Sequence, residues 1–560
     1  FIIRMSQPNP NFNRAPAPQP PFPGQYPAPA YQAPQPPNPA PVQPPRDTSW
    51  PPRCFEKPVV SIYEIQQLNL PVNYTEYATV GAGLGSFSWV DALRVSGVQA
   101  SNIAAIGMDA RPYDHYNHLA RNSQIPDWER LRSNSESTPD NLWGWPGYAL
   151  REIWAETKRG HLGTALKLWW QIFGEPSLTD TYTPRIGEVF RSVDREALRI
   201  GWGQIYRYGR VRAIRKTDDG RYLIAYSTRQ PGQQNNGPTH FLHLAHYLHI
   251  AVGYPALQFL PDLQKYREQT GDFQSVVNAY ENHDHLYEHL RRHGGLVMVR
   301  GRGIVASRIL QRLAEERTHN PNIGVIHLMR SPVAQGHRYR KTNRQVISQF
   351  EFQPFNWPRG CWGGSYRKLL EKSSPEERKK LLEVWGGTTT ARRQDWLEIT
   401  RRGLAEGWYQ IVFGEVENVE RLPQGRLQAR IVTKGQVAGQ FTCTADFIID
   451  ATGLEAKANS NPLLADLIGK FGLPLNPMGR VHVENDFEIP GMRNGTGRMY
   501  AAGSMTLGGP LAAVDSFLGL QYAGLRSVQA LQEAGAYELK KLGVLRSVSQ
   551  WLKWARKVQP

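Results

Sequence analysis

Gly81 and Gly83 stand two residues apart in "VGAGLGSF", followed by Gly85 and Ser86. The same spacing returns in "VRGRGIVASRI" as Gly301, Gly303 and Ala306. A glycine pair with a small residue three positions on suits pyrophosphate binding. The first glycine makes a tight turn, the second lets the backbone approach the phosphates, and the third small residue lets helix and strand pack closely. The pyrophosphate then rests on the free N–H groups that open the helix, where the dipole favours negative charge. Ser86 is small enough for the third position, although glycine or alanine is usual there. Asp109 closes the strand after the first turn, where a carboxylate would accept hydrogen bonds from a ribose. The strand after the second turn ends in Met329-Arg330-Ser331, with no acid at that place. A guanidinium binds the 2′-phosphate that a carboxylate would repel, so Arg330 points to NADPH over NADH, with Arg302 and Arg308 as further cations.

Each turn needs a strand before it and a helix after it. "EYATVGAGLGSFSWVDALRVSG" followed by "NIAAIGMDA" reads as strand, turn, helix and strand, a βαβ unit. "GLVMVRGRGIVASRILQRLAEE" and "IGVIHLMRS" repeat that order from Gly295. Between the units lie a Trp-rich, helical stretch over 128–202, a hairpin turning at "DDG", and the strand "HYLHIAVGYP". A second aromatic insertion runs over 350–408, before a β-rich stretch and the strand "ADFIIDATG" that ends at Gly453. The pattern predicts an α/β protein with two unequal Rossmann-like units, the second inserted into the first.

The order "GAGLGS", "AVGYP", "GRGIVA", "DATG" and "AAGS…GGP…DSFLGLQYAG" resembles the two-dinucleotide-binding-domain flavoproteins, most of all the flavin-containing and N-hydroxylating monooxygenases. The resemblance covers about residues 75–535 but resides in these motifs rather than in the aromatic insertions. It implies FAD at the Gly81 turn and NADPH at the Gly301 turn, with "AVGYP" and "DATG" as crossings between the two domains. It also implies that Gly503, Pro510 and Asp515 lie in or near the FAD pocket. The reaction it implies is oxygenation of a small organic substrate by molecular oxygen through a flavin C4a-peroxide. The Baeyer–Villiger fingerprint is absent, its place holding "VVNAYENHDHLYEHL", and Ile304 follows Gly303 where N-hydroxylases carry Gln. Two alternatives stay open: a flavin-dependent reductase or dehydrogenase without oxygen insertion, and a flavin-binding redox sensor or scaffold.

Composition excludes other classes. The 560 residues carry 66 Lys and Arg against 49 Asp and Glu, a formal charge of +17. That charge is dispersed and accompanies no zinc-finger, RNP or helix-turn-helix signature, so no nucleic-acid partner is expected. The three cysteines, Cys54, Cys361 and Cys443, lie far apart, against a disulfide scaffold, a dithiol reductase and a cysteine metal site. No apolar run reaches the length that spans a bilayer. Met5 is the expected start, the four residues before it being too few for the apolar part of a signal peptide. A cytoplasmic protein is expected.

His283 and His285 are the weak catalytic candidates. An imidazole ahead of the NADPH unit would move a proton near neutral pH; the alternative is an ordinary loop or helix start. "WPRGCWGG" offers Cys361 as a nucleophile, or simply as a packed thiol in a glycine-rich loop. The aromatic patches "LWGWPGYALREIW" and "HLGTALKLWWQIFG" line a substrate tunnel or pack the insertion onto the FAD domain. The expected organisation begins with a disordered Pro-rich tail over 1–55 and an N-terminal FAD-domain segment over 56–255. An NADPH domain over 256–445 follows, then a C-terminal FAD-domain segment over 446–535 and a basic amphipathic helix over 536–560. That last helix sets Leu542, Leu545, Val548 and Leu552 among lysines and arginines, for docking on the protein itself or for peripheral contact with an anionic membrane.

Overall fold

The computed structural model describes residues 50–131, 148–173, 182–228, 239–254, 256–257, 259–339, 342–353, 357–433, 439–455 and 457–560. Nearly all of the Pro-rich tail, Pro255 and the "LWGWPG" stretch of the first aromatic patch lie outside them.

Strand β1 (Val72–Val80) runs into the Gly81 turn, and helix α1 (Leu84–Ser96) leaves it. All 13 residues of α1 are buried, so it is sandwiched inside the domain and stops at Gly97 in the left-handed conformation. Strand β2 (Ile103–Gly107) is buried throughout and pairs parallel with β1, Val80 opposite Ile106. Helices α2 (Tyr148–Lys158), α3 (Leu162–Phe173) and α4 (Ile186–Ile200) belong to the first insertion. Strand β3 (Tyr206–Tyr208) pairs with β2; β4 (Arg210–Thr217) and β5 (Tyr222–Ser227) form the expected hairpin; β6 (His240–Ile250) returns beside β1. The strand Val59–Val60 opens this eight-stranded sheet, ordered Val59–Val60, β4, β5, β6, β1, β2, β3, with a late strand also on β6.

The chain leaves through β7 (Ala256–Leu257) into a second sheet. Strands β8 (Val276–Asn278), β9 (Gly295–Arg300), β10 (Ile323–Met329), β11 (Tyr409–Phe413) and β12 (Phe447–Asp450) make it, in the order β11, β10, β9, β12, β8, all parallel. Helix α5 (Ile304–Arg317) crosses between β9 and β10. Strand β13 (Leu454–Glu455) pairs antiparallel with β7, so outgoing and returning chains form one two-stranded ribbon. Strand β14 (Arg498–Ala501) then adds to β6, and helix α6 (Phe517–Glu533) packs along α1, Gly524 standing against Ser88.

The topology corrects one expected boundary. Strand β12 pairs with β9 and β8, so "FIID" belongs to the second domain, and the chain returns to the first only after Gly453. A parallel strand covered on both faces is a continuous apolar run in either sheet, so its composition could not assign it.

The second insertion divides between two cores. Phe350, Phe352 and Trp396 pack with Val297, Val299 and Ile309 of the second domain, while Trp357, Trp385 and Leu382 join the core of the first. Trp362 meets Tyr522 of α6 edge-on, and Arg378 donates to Asn485 at 2.9 Å. The insertion is thereby tied to both Rossmann-like domains.

Candidate cofactor-binding site

Both glycine turns have the same build. Gly81 has φ +91°, and a Cβ there would stand 2.3 Å from the Ala251 carbonyl oxygen. Gly301 has φ +120°, and its Cβ would stand 2.4 Å from the Ala451 carbonyl oxygen. Positive φ and a backbone wall at that range leave only glycine. The wall is in each case an alanine of a crossing motif, Ala251 of "AVGYP" and Ala451 of "DATG", so crossing and turn hold one another.

The second glycines cap the helices with nearly identical backbones: φ −81°, ψ −172° at Gly83 and φ −79°, ψ −174° at Gly303. Neither helix has a side-chain cap, so their first N–H groups are left for a ligand. A Cβ on Gly83 would find only the Pro112 carbonyl oxygen, at 3.9 Å, and one on Gly303 nothing within 4 Å. The same open turn, of a geometry that suits an anion, is thus built twice. At the third position Ala306 is wholly buried, whereas Ser86 accepts a hydrogen bond from Thr79 Oγ1 at 2.8 Å. Thr79 in turn meets His249 Nδ1 at 3.0 Å, and burial pushes that imidazole down to about 3, so it is neutral. The polar chain satisfies the serine that replaces the usual glycine or alanine.

Gly85 packs beside Ala251, Leu520 and Ala502, which brings the first turns of α1 and α6 together. Gly503, also at positive φ, faces Leu520, and Pro510 is buried in the same segment. Ser516 caps α6 by accepting from Gly519 N at 3.0 Å, with Asp515 exposed just before it. Asp515 accepts from the Tyr254 hydroxyl at 2.7 Å, joining the outgoing crossing to the loop before α6. Burial first, and then Asp515, push the Tyr254 hydroxyl far up and that of Tyr280 up to about 12.

A cavity of about 820 Å³ opens at the carboxyl ends of β9 and β10, where ligands settle in open α/β sheets. Gly301, Arg302, Gly303, Arg330, Ser331, Tyr280, Glu415 and Gly453 line it. The side chain of Arg330 is 83% exposed, its Nε 3.9 Å from Glu415 Oε1, so it is free to turn to a phosphate. Arg302 donates to the Ser331 carbonyl, and its Nε lies 3.5 Å from Met329 Sδ. Arg308, by contrast with the expectation, is 1% exposed, paired with half-buried Glu315 at 3.0 Å, and does not line the cavity.

Register also places Asp109. Gly81 N donates to Ile106 O at 2.9 Å, and Gly301 N to Leu328 O at 3.3 Å. Counting onward, Arg330 corresponds to Met108, and Asp109 to Ser331. Asp109 therefore stands two positions beyond the end of β2, one past the equivalent of Arg330, and burial chiefly pushes its carboxyl up, with His115 opposing.

The two histidine candidates do not line this cavity. His283 is fully buried, with Nδ1 against the Glu281 carbonyl at 2.8 Å and Nε2 against the Tyr287 hydroxyl at 3.0 Å. His285 sits on the surface against the Gln274 carbonyl. Both read as structural. Cys361 is buried in the first core, and burial pushes its thiol far up. A nucleophilic thiol needs the reverse. Iodoacetamide on the native protein is expected to leave Cys361 unlabelled, as peptide mass mapping would show; rapid labelling would contradict its burial.

The motifs "AVGYP" and "DATG" contain Tyr254 and the two alanines without revealing what they touch, and spacing singles out neither Tyr280 nor Gly107. Gly107 carried a signal, a glycine inside a strand; a Cβ there would meet Ala82 N at 2.4 Å. The others act through backbone or through contacts between distant segments, which spacing does not reveal.

No protein-family model matches the chain, and no curated protein matches it in sequence. Solved structures do match in shape. The FAD-bound cadaverine monooxygenase of desferrioxamine biosynthesis from Erwinia amylovora superposes with a TM-score of 0.59 at 14% identity, over 84% of this chain and 96% of that one. The ornithine N-hydroxylase of Kutzneria sp. 744, with reduced FAD, NADP+ and L-ornithine, gives 0.57 at 15% identity, over 82% and 100%. The ornithine hydroxylase of Pseudomonas aeruginosa gives 0.55 at 15% identity, over 82% and 99%. These likenesses show the fold: two Rossmann-like domains, in the arrangement of FAD- and NADPH-dependent two-domain flavoenzymes.

Proposed function

We propose that this chain is an FAD- and NADPH-dependent oxidoreductase, a monooxygenase of a small organic substrate. The observation that supports it most is the matched pair of cradles. Each combines a positive-φ glycine against a crossing carbonyl with an uncapped helix N-terminus behind an open second glycine. Two such sites in one chain suit two dinucleotides exchanging a hydride.

Residues present fit both groups. The Gly81–Gly83 turn, with the first turns of α1 and α6, would hold FAD. The Gly301–Gly303 turn would hold the NADPH pyrophosphate, Arg330 its 2′-phosphate, with Arg302 adding positive charge. Bound FAD would supply hydride acceptance and oxygen activation. The chain's own role is binding, orientation and dryness. The Tyr254–Asp515 bond orients the outgoing crossing against the loop before α6, and the aromatic insertion helps to keep water out. The similar structures act on ornithine and cadaverine. A small amine is therefore the first substrate class to test.

The test is the fate of oxygen. The NADPH-reduced protein is mixed with aerated buffer, with and without a panel of amines, and hydroxylated product and hydrogen peroxide are both counted. Product that rises as peroxide falls supports the monooxygenase. Peroxide alone with every compound supports a reductase without oxygen insertion, and tight FAD binding with no NADPH turnover supports the sensor or scaffold.

A further inference from the structure

Helix α7 (Val544–Ala555) docks the wrong way round for a helix that serves its own protein. Its buried residues are Ser547 and Gln550, Gln550 being only 3% exposed. Val544 and Leu545 are 81% and 87% exposed, and Val548, Trp551 and Leu552 also face outward. The polar side anchors it: Arg546 Nε donates to Val95 O at 3.1 Å, and Lys540 N, just ahead, to Ser96 O at 2.8 Å. Trp554 lies under the Arg151 guanidinium, 5.2 Å from ring centroid to Cζ, so α7 adjoins α2. The α2–α3 pair carries its own outward stripe at helical spacing, Leu150 and Trp154, then Leu162, Leu166, Trp169 and Trp170. An apolar surface of this kind on adjoining helices marks an interaction site.

Charge identifies the partner. Besides the docked Arg546, residues 540–560 hold Lys540, Lys541, Lys553, Arg556 and Lys557, with no Asp or Glu. A second copy would bring the same five charges against these across a symmetric interface, which opposes self-pairing. An anionic bilayer attracts them, at about 1 kcal/mol per Lys or Arg near the surface. Trp551 and Trp554 suit the headgroup boundary. With 12 residues, α7 is too short to cross a bilayer, and among the described residues no helix is long and apolar enough to do so. We propose that α7, with the α2–α3 stripe beside it, is an interfacial helix that seats this protein on an anionic membrane surface.

The full-length, FAD-loaded protein is to be sedimented with vesicles of phosphatidylcholine alone or carrying about a third phosphatidylserine. Binding to the anionic vesicles, at least roughly tenfold tighter than to the neutral ones and weakened by salt, is the expected result. Leu545→Glu combined with Leu552→Glu should reduce it roughly tenfold or more while flavin content stays the same. No pelleting with either vesicle overturns the proposal, as does equal binding to both. So does a dimer in light scattering that these substitutions dissolve, since a second copy would then be what covers the face.

Discussion

Alanine at Gly303 is expected to raise the KM for NADPH about a hundredfold while the fold and the flavin stay in place. The backbone there is ordinary extended chain, φ −79°, so alanine adopts it without strain. Apart from the residue itself and its chain neighbours, no atom of the described residues lies within 4 Å of the added methyl, so nothing there is displaced. Only a ligand pressed onto the turn would meet it. Misplacing a bound group by about 1 Å is enough for about a hundredfold loss. Gly301→Ala makes the contrast, since its methyl would stand 2.4 Å from the Ala451 carbonyl oxygen at positive φ. That variant should lose thermal stability as well as NADPH. Thermal melts with steady-state kinetics separate the two. An unchanged KM in Gly303→Ala would mean that no pyrophosphate rests on this turn.

Arg330→Ala should produce the second large effect, a KM for NADPH raised about ten- to hundredfold with that for NADH unchanged. A charge-assisted bond to phosphate contributes about 1.5–3 kcal/mol, and each 1.4 kcal/mol is tenfold. The side chain is largely exposed and its distance to Glu415 is 3.9 Å, so its removal costs the fold little. Equal effects on the two cofactors would show that Arg330 acts on something other than the 2′-phosphate.

The features legible in the sequence were those in which local chemistry and spacing coincide. Gly81 and Gly301 announced their turns because a tight strand-to-helix turn requires glycine whatever surrounds it. The hairpin at "DDG" and the helix ending at Gly97 were legible for similar reasons of backbone geometry. Contacts between distant segments were not legible. Nothing local to "FIID" says which sheet takes it, and nothing near Tyr254 predicts Asp515, 261 residues on. Arg308 misled because a guanidinium one turn into a helix looks the same facing a phosphate or facing Glu315. His283 is as ambiguous in the sequence, since its partners are a carbonyl and a tyrosine that its own spacing does not advertise. The amphipathic C-terminal helix was legible, but which side faces the protein is decided by packing at the end of α1.

Two dinucleotides, held on two like turns, are proposed to exchange a hydride. An anaerobic titration of the purified, flavin-reconstituted protein with NADPH is the decisive measurement. One FAD per chain, bleached by one equivalent of NADPH, is the predicted result. A protein that takes up no flavin, or a yellow one that NADPH leaves unbleached, would contradict it.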